Sequence, residues 1–230
     1  MLSSFLSLSA FVASALASPI ETRATCSGAH VLWARGSYET YANSTLLPLV
    51  NKIATTTGGS SSAIIYPATV INATVSSDYD NSVAAGINNT ILQIKQYVAS
   101  CGSSSRVVLV GYSQGGQVMT DTLVGGAFEP AGIDSSYWKY ITASVVFGDP
   151  TFTYPSKYAA GNATTSGISQ RFQNDPTEVS LNNNFANTLR SYCTVNDPIC
   201  AGLEFTNAGA HQAEVRDHQA AAQAFVLGFR

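Results

Sequence analysis

The 230-residue chain has little charge: 11% of its residues are Asp, Glu, Lys or Arg. Its 11 Lys and Arg form no run, and against 14 Asp and Glu they leave a net charge of −3. Without a basic patch there is no electrostatic footprint for a nucleic acid. Without a block of like charges there is no acidic or basic tail. Histidine is scarce at three residues and cysteine at four. No Cys pair has CxxC spacing, and the histidines lie at no ligand spacing, which excludes a zinc or dithiol redox site. The chain has no apolar run of the ~20 residues that a membrane span needs. What it has is apolar content: 45% hydrophobic residues, enough to bury one sizeable core.

Leu2 to Ala17 is apolar apart from serines and ends in Ala15-Leu16-Ala17, small residues where a signal peptidase cuts, followed by turn-forming Ser18-Pro19. Residues 1–17 are therefore expected to be a signal peptide, 18–23 a pro-segment ending at Arg23, and 24–230 a single domain. A secreted, extracellular protein is expected to hold disulfides. Cys26, Cys101, Cys193 and Cys200 allow three pairings. The simplest joins Cys26 to Cys101 and Cys193 to Cys200. The long loop would contribute about 4 kcal/mol and the short one about 2.5 kcal/mol, so the short bridge serves chiefly to shape its loop. Asn43, Asn72, Asn88 and Asn162 begin Asn-X-Ser/Thr triplets and are candidate glycosylation sites.

From Cys26 onward, short β-branched runs alternate with helical patterns. Strands are expected at Ala29 to Ala34, Ala63 to Tyr66, Arg106 to Val110, Ile141 to Phe147 and Leu189 to Tyr192. Val83, Ile87, Ile91, Ile94 and Val98 outline an amphipathic helix with Asp80, Asn81 or Ser82 as its cap. Further helices are expected over Leu46 to Ala54, Gln114 to Leu123 and Gln212 to Leu227. Thr151 to Asn187 reads as loops. The order implies an α/β fold: a mostly parallel five-stranded sheet with helices on both faces.

The sharpest motif is Gly111-Tyr112-Ser113-Gln114-Gly115, a G-x-S-x-G flanked by a strand before and a helix after. That context makes Ser113 a candidate nucleophile on a tight strand-to-helix turn, with the Gln114 backbone N–H aimed at a developing oxyanion. Of the histidines, His30 opens a strand and reads as packed or at the surface. His218 reads as a solvated helix position, and His211 lies in the loop before the last helix, within reach of the sheet's end. His211 is the expected general base. Asp149 and Asp197 both satisfy the chain order Ser, Asp, His; the short Cys193 to Cys200 loop favours Asp197.

At these residues the chain resembles the cutinase and fungal acetylxylan esterase family of secreted serine esterases, over about Cys26 to Val226. The resemblance rests on Ala34-Arg35-Gly36-Ser37-Tyr38-Glu39-Thr40, Gly111 to Gly116, the Ser191-Tyr192-Cys193 to Asp197-Pro198-Ile199-Cys200 loop, and His211. It implies an α/β-hydrolase-like sandwich without a large lid, a Ser113, Asp197, His211 triad, an oxyanion hole of Ser37 and Gln114, the same two disulfides, and no cofactor or metal. It further implies a monomer acting on plant cell-wall polysaccharide or polyester esters. Tyr79-Asp80-Asn81-Ser82-Val83 and Gly148-Asp149-Pro150 lean toward acetylxylan esterases. Arg35-Gly36-Ser37 with Leu203 and Phe205 is similar to the apolar rim of cutinases. The expected activity is deacetylation of acetylated xylan or hydrolysis of similar short-chain esters, with cutin hydrolysis as the alternative. A peptidase and a catalytically idle wall-binding protein on the same fold are the rivals from other classes.

Overall fold

The computed structural model describes residues 26–70, 76–202 and 208–229. The expected signal peptide and pro-segment, Asn72, Leu203 and Phe205 lie outside them. Six strands form one sheet: β1 (His30–Ala34), β2 (Ser60–Ala63), β3 (Val107–Tyr112), β4 (Ile141–Phe147), β5 (Ala159–Gly161) and β6 (Leu189–Cys193). Their order is β2-β1-β3-β4-β6-β5, and every pairing is parallel. Among the described residues five α-helices cover it: α1 (Leu47–Thr57), α2 (Ser76–Cys101), α3 (Gln114–Val124), α4 (Pro176–Asn184) and α5 (Ala208–Leu227).

The central strands are apolar on both sides, and period-two alternation divides them between two cores. Leu32, Val107, Leu109 and Val146 pack with Val83, Ile87 and Ile94 of α2 and with Val118 and Met119 of α3. Val31, Trp33, Val108, Val110 and Val145 pack on the opposite face with Val50 and Ile53 of α1 and Val215 and Val226 of α5. Gly58 ends α1 in a left-handed conformation, φ 66°, its N–H closing on the carbonyls of Ala54 and Thr55. The turn Gly58-Gly59 then leads directly into β2.

The sheet corrects the expected five strands to six. The added strand, β5, is Ala-Ala-Gly within the stretch read as loops, an edge segment without β-branched residues. That stretch also holds α4, which buries only Glu178 and Leu181 and so has no apolar stripe. β2 lies at Ser60–Ala63, earlier than expected, because an edge strand needs little apolar pattern. α2 begins at Ser76, upstream of the expected caps, and Ser82 lies buried inside it. Cys26 is bonded to Cys101 and Cys193 to Cys200, the simplest of the three pairings. Among the described residues no helix is long and apolar enough to cross a membrane.

Candidate active site

In a parallel sheet every strand delivers its carboxyl end to the same edge, and the expected site residues gather there. Ser113 follows β3 and caps α3 at φ 54°, ψ −124°, a strained conformation for a residue with a side chain. The turn is possible only with glycine on both sides. A Cβ on Gly111 would stand 2.3 Å from the Gly115 carbonyl oxygen, and one on Gly115 2.0 Å from that of Ala34. The Ser113 N–H donates to the Phe147 carbonyl at 2.8 Å, tying the turn to the end of β4.

His211 lies in the first turn of α5, which begins at Ala208, rather than in a loop before it. Its Nε2 is 2.9 Å from Ser113 Oγ and its Nδ1 is 2.8 Å from Asp197 Oδ2. Tyr112 stacks on the imidazole with centroids 5.1 Å apart, and its hydroxyl donates to the His211 carbonyl. On the other side Gly148, at φ 61°, leaves the ring its space: a Cβ there would be 2.7 Å from His211 Cε1.

Asp197 is fully buried in the short loop closed by the Cys193–Cys200 disulfide, whose cysteines are 7 positions apart. Its Oδ1 accepts the backbone N–H groups of Ile199 (2.7 Å) and Cys200 (3.1 Å). Burial acts to raise its pKa, but the His211 hydrogen bond and charge, with those two N–H donors, outweigh burial and hold it below the ordinary value. Asp149, the other candidate, is buried elsewhere. Its Oδ1 accepts from the Thr151 N–H and hydroxyl and its Oδ2 from Thr120 of α3. Asp197 faces the imidazole; Asp149 binds the loop after β4 to α3.

The side chains of Ser37 and Gln114, the expected oxyanion residues, both donate to the Thr69 carbonyl. Ser37 stands beside Ser113 and His211 on a cavity of about 500 Å³, its hydroxyl 3.4 Å from the Thr69 carbonyl. Gln114 sits at the first position of α3, where a backbone N–H has no partner within the helix. Its side chain is held by Ser82, which donates to Oε1, and by Thr69, whose carbonyl accepts from Nε2. Val70, Tyr79, Pro150, Ile168 and Ile199 supply further walls of the cavity.

Several supports have no sequence signature. Glu39 accepts the Gly36 N–H and the Ser44 hydroxyl with one oxygen and the Thr45 N–H and hydroxyl with the other, fixing the loop that carries Ser37. Arg35 spans from the Glu39 carbonyl to those of Tyr66 and Pro67. Behind the Asp197 loop, buried Glu214 accepts the Thr194 N–H at 2.6 Å, and burial pushes its pKa up to about 8. His218, expected to be solvated, is half-buried: it stacks on Tyr192 and reaches the Thr194 hydroxyl at 3.0 Å. His30 packs on Tyr97. The one group of metal-capable side chains among the described residues is Cys193, Cys200 and Glu214, and the disulfide denies it thiolates. Of the glycosylation candidates, Asn43, Asn88 and Asn162 are exposed.

A parallel sheet covered on both faces, with a strained serine between strand and helix and an imidazole within hydrogen-bond reach, defines a serine hydrolase of the α/β-hydrolase type. The comparisons narrow this class. The cutinase family model matches residues 25–228, and the chain belongs to that family. It is 31% identical to acetylxylan esterase 2 of Talaromyces purpureogenus, covering 98% of each chain. It is 29% identical to cutinase 11 of Verticillium dahliae, over 89% of this chain and 69% of that one. A solved acetylxylan esterase superposes with a TM-score of 0.76 at 29% identity, over 89% of this chain and 99% of the other. The protein is a serine carboxylic-ester hydrolase.

Proposed function

We propose that the protein is a secreted esterase that removes short acyl groups, acetyl foremost, from plant cell-wall polysaccharide such as acetylated xylan. The observation that carries the mechanism is the unbroken path from Ser113 Oγ through His211 to Asp197, with spacings of 2.9 and 2.8 Å, at the wall of an open cavity. With its Nδ1 proton held by Asp197, His211 presents a bare Nε2 that takes the Ser113 proton as Oγ attacks the ester carbonyl. The tetrahedral oxyanion meets the Gln114 N–H and the Ser37 hydroxyl, which turns from Thr69. The imidazolium returns the proton to the leaving alcohol. Water then repeats the attack on the acyl-enzyme, giving up its proton to His211, which returns it to Ser113 Oγ as the bond to the acyl carbon breaks and the acid departs.

Relatives named as acetylxylan esterases support the polysaccharide substrate. The relative named as a cutinase, and apolar Val70, Ile168 and Ile199 in the cavity wall, favour a second reading: hydrolysis of the cutin polyester. The two disulfides support secretion. Rates on p-nitrophenyl esters from C2 to C12, with acetate release from acetylated xylan, test the choice. Highest kcat/KM at C2 to C4 with acetate release is expected. A rise beyond C4, with hydroxy fatty acids freed from cutin and no acetate from xylan, would replace the first reading by the second.

A further inference from the structure

Next to the ester cavity lies another of about 420 Å³, and Tyr79 is a wall of both. Two loops straddle them: Pro150 and Ile168 face the first, Thr151 and Ser169 the second. Asp121 and Arg171 line the second, paired to each other with side chains only 2% and 6% exposed. Three polar atoms of residues lining this cavity are buried with no hydrogen-bond partner: Asp121 Oδ2, Arg171 Nε and Glu129 Oε2. Buried donors and acceptors are rarely left so, and each unmet group weighs against the fold unless something supplies its partner. At the same cavity Phe128 and Phe172 hold their rings in solvent, 91% and 72% exposed.

The occupant follows from the chemistry. Asp80, Asp121 and Asp175 outnumber Arg171, so an anion is repelled. A metal ion is excluded as well, because these carboxylates do not converge: the one metal-capable grouping among the described residues lies at the Cys193–Cys200 bridge. An acyl chain would cover the unmet polar atoms with methylenes and satisfy none of them. A neutral sugar ring offers hydroxyls that donate to carboxylates and accept from a guanidinium, and C–H faces that pack on phenyl rings. Burial raises the Glu129 carboxyl to about 8, so near neutrality it also donates. We propose that this second cavity is a binding subsite for a neutral sugar unit of the polysaccharide whose ester lies at Ser113, held by Asp121, Glu129 and Arg171 between Phe128 and Phe172. Ser113 and Asp121 are separated by two turns of α3, roughly 12 Å, a span that a short run of sugar rings covers.

The inference rests on the polysaccharide reading of the function, and its test separates the two. Unacetylated xylotriose is titrated calorimetrically into the Ser113→Ala protein, in which no turnover intrudes. Saturable binding is expected, weakened about tenfold by Phe128→Ala with Phe172→Ala and about tenfold by Glu129→Ala. Glu129→Gln, which keeps a neutral donor and acceptor, is expected to retain binding near pH 7. Leu92→Ala, on the exposed face of α2, serves as the control and is expected to change nothing. Absence of xylotriose binding, or binding indifferent to both phenylalanines and to Glu129, overturns the subsite. In parallel, acetate release from acetylated xylan by the parent enzyme judges the function alone. Xylotriose binding without acetate release would sink the polysaccharide reading and leave the subsite, and acetate release without binding would do the reverse.

Discussion

Replacing Asp197 by Asn tests the catalytic assignment more sharply than removing the serine, because the geometry dictates which way the new amide must face. Oδ1 of Asp197 is fixed by two backbone donors, Ile199 N–H and Cys200 N–H, while Oδ2 meets His211 Nδ1. An asparagine must keep its carbonyl oxygen on the two N–H groups, since its NH2 there would oppose donors with a donor. The NH2 is then forced toward His211 Nδ1, which becomes an acceptor and sends the ring proton to Nε2. The imidazole now points a donor at Ser113 and can no longer take its proton. The expected loss of kcat is about 10⁴-fold, or ~5.5 kcal/mol of transition-state stabilisation. The fold should persist, because both backbone hydrogen bonds survive. Asp149→Asn is the contrasting variant: it disturbs the bonds to Thr120 and Thr151, costs about 1–3 kcal/mol of stability, and leaves kcat within tenfold. The assay is hydrolysis of p-nitrophenyl acetate at matched folded fraction, with melting followed by circular dichroism. Asp197→Asn activity within tenfold of the parent, or a larger rate loss in Asp149→Asn, would refute the reasoning.

Gly148→Ala is expected to lower kcat about 10²-fold in a folded protein, because its methyl would displace the His211 ring and the position requires a positive φ; an unchanged rate would show that the ring has slack. Mild reduction of the Cys193–Cys200 bridge should cut esterase activity before the circular dichroism changes, since the bridge contributes only about 2.5 kcal/mol to stability but shapes the Asp197 loop. The reverse order would contradict that division. Glu214 carries a folded pKa of about 8 against an ordinary 4.5, so the folded state keeps a proton that the unfolded chain has released. Its stabilisation is therefore complete below about pH 4.5 and is lost as pH rises toward 8, by at most ~1.4 kcal/mol per pH unit. Melting temperatures measured from pH 5 to 9 should fall less steeply for Glu214→Gln than for the parent.

The parts of the fold legible in the sequence are those where burial on both faces leaves a continuous apolar signature. β4 matches its expected bounds at both ends, and β3 and β6 fall within two residues of theirs. Edge elements were hidden because their residues need not be apolar: Ser-Ser-Ser of β2 and Ala-Ala-Gly of β5 join the sheet through backbone pairing, helped in β2 by the Ser60 hydroxyl on His30. α4 lacks an apolar stripe, yet it carried a readable start. Asp175 accepts the Thr177 N–H as a cap, Pro176 occupies the first turn, and Glu178 follows. At the site, Ser113, Gln114 and His211 were readable because a motif or scarcity isolates them, whereas Ser37 rested on resemblance. Glu39, Tyr112 and Gly148 were not readable. Glu39 acts through local bonds to Gly36, Ser44 and Thr45 that no motif marks, Tyr112 through a contact 99 residues away, and Gly148 through an absence of atoms, and none of these leaves a pattern along the chain.

The same limit explains why the second cavity had no trace in the sequence although it sits on the same helix as the site. Asp121 lies two turns beyond Ser113 on α3, and Thr120 beside it bonds both Asp149, next to the Gly148 that frames His211, and Arg171. One rigid helix and one buried polar network thus fix the distance between the serine and the polar atoms that lack partners. A ligand reaching both is positioned by the scaffold, without closure of a lid, and the gain falls on substrates long enough to span them. Small esters use only the first cavity and so miss that positioning. The ratio of kcat/KM for an acetylated xylo-oligosaccharide to that for p-nitrophenyl acetate is therefore the quantity in which the geometry of α3 should be visible.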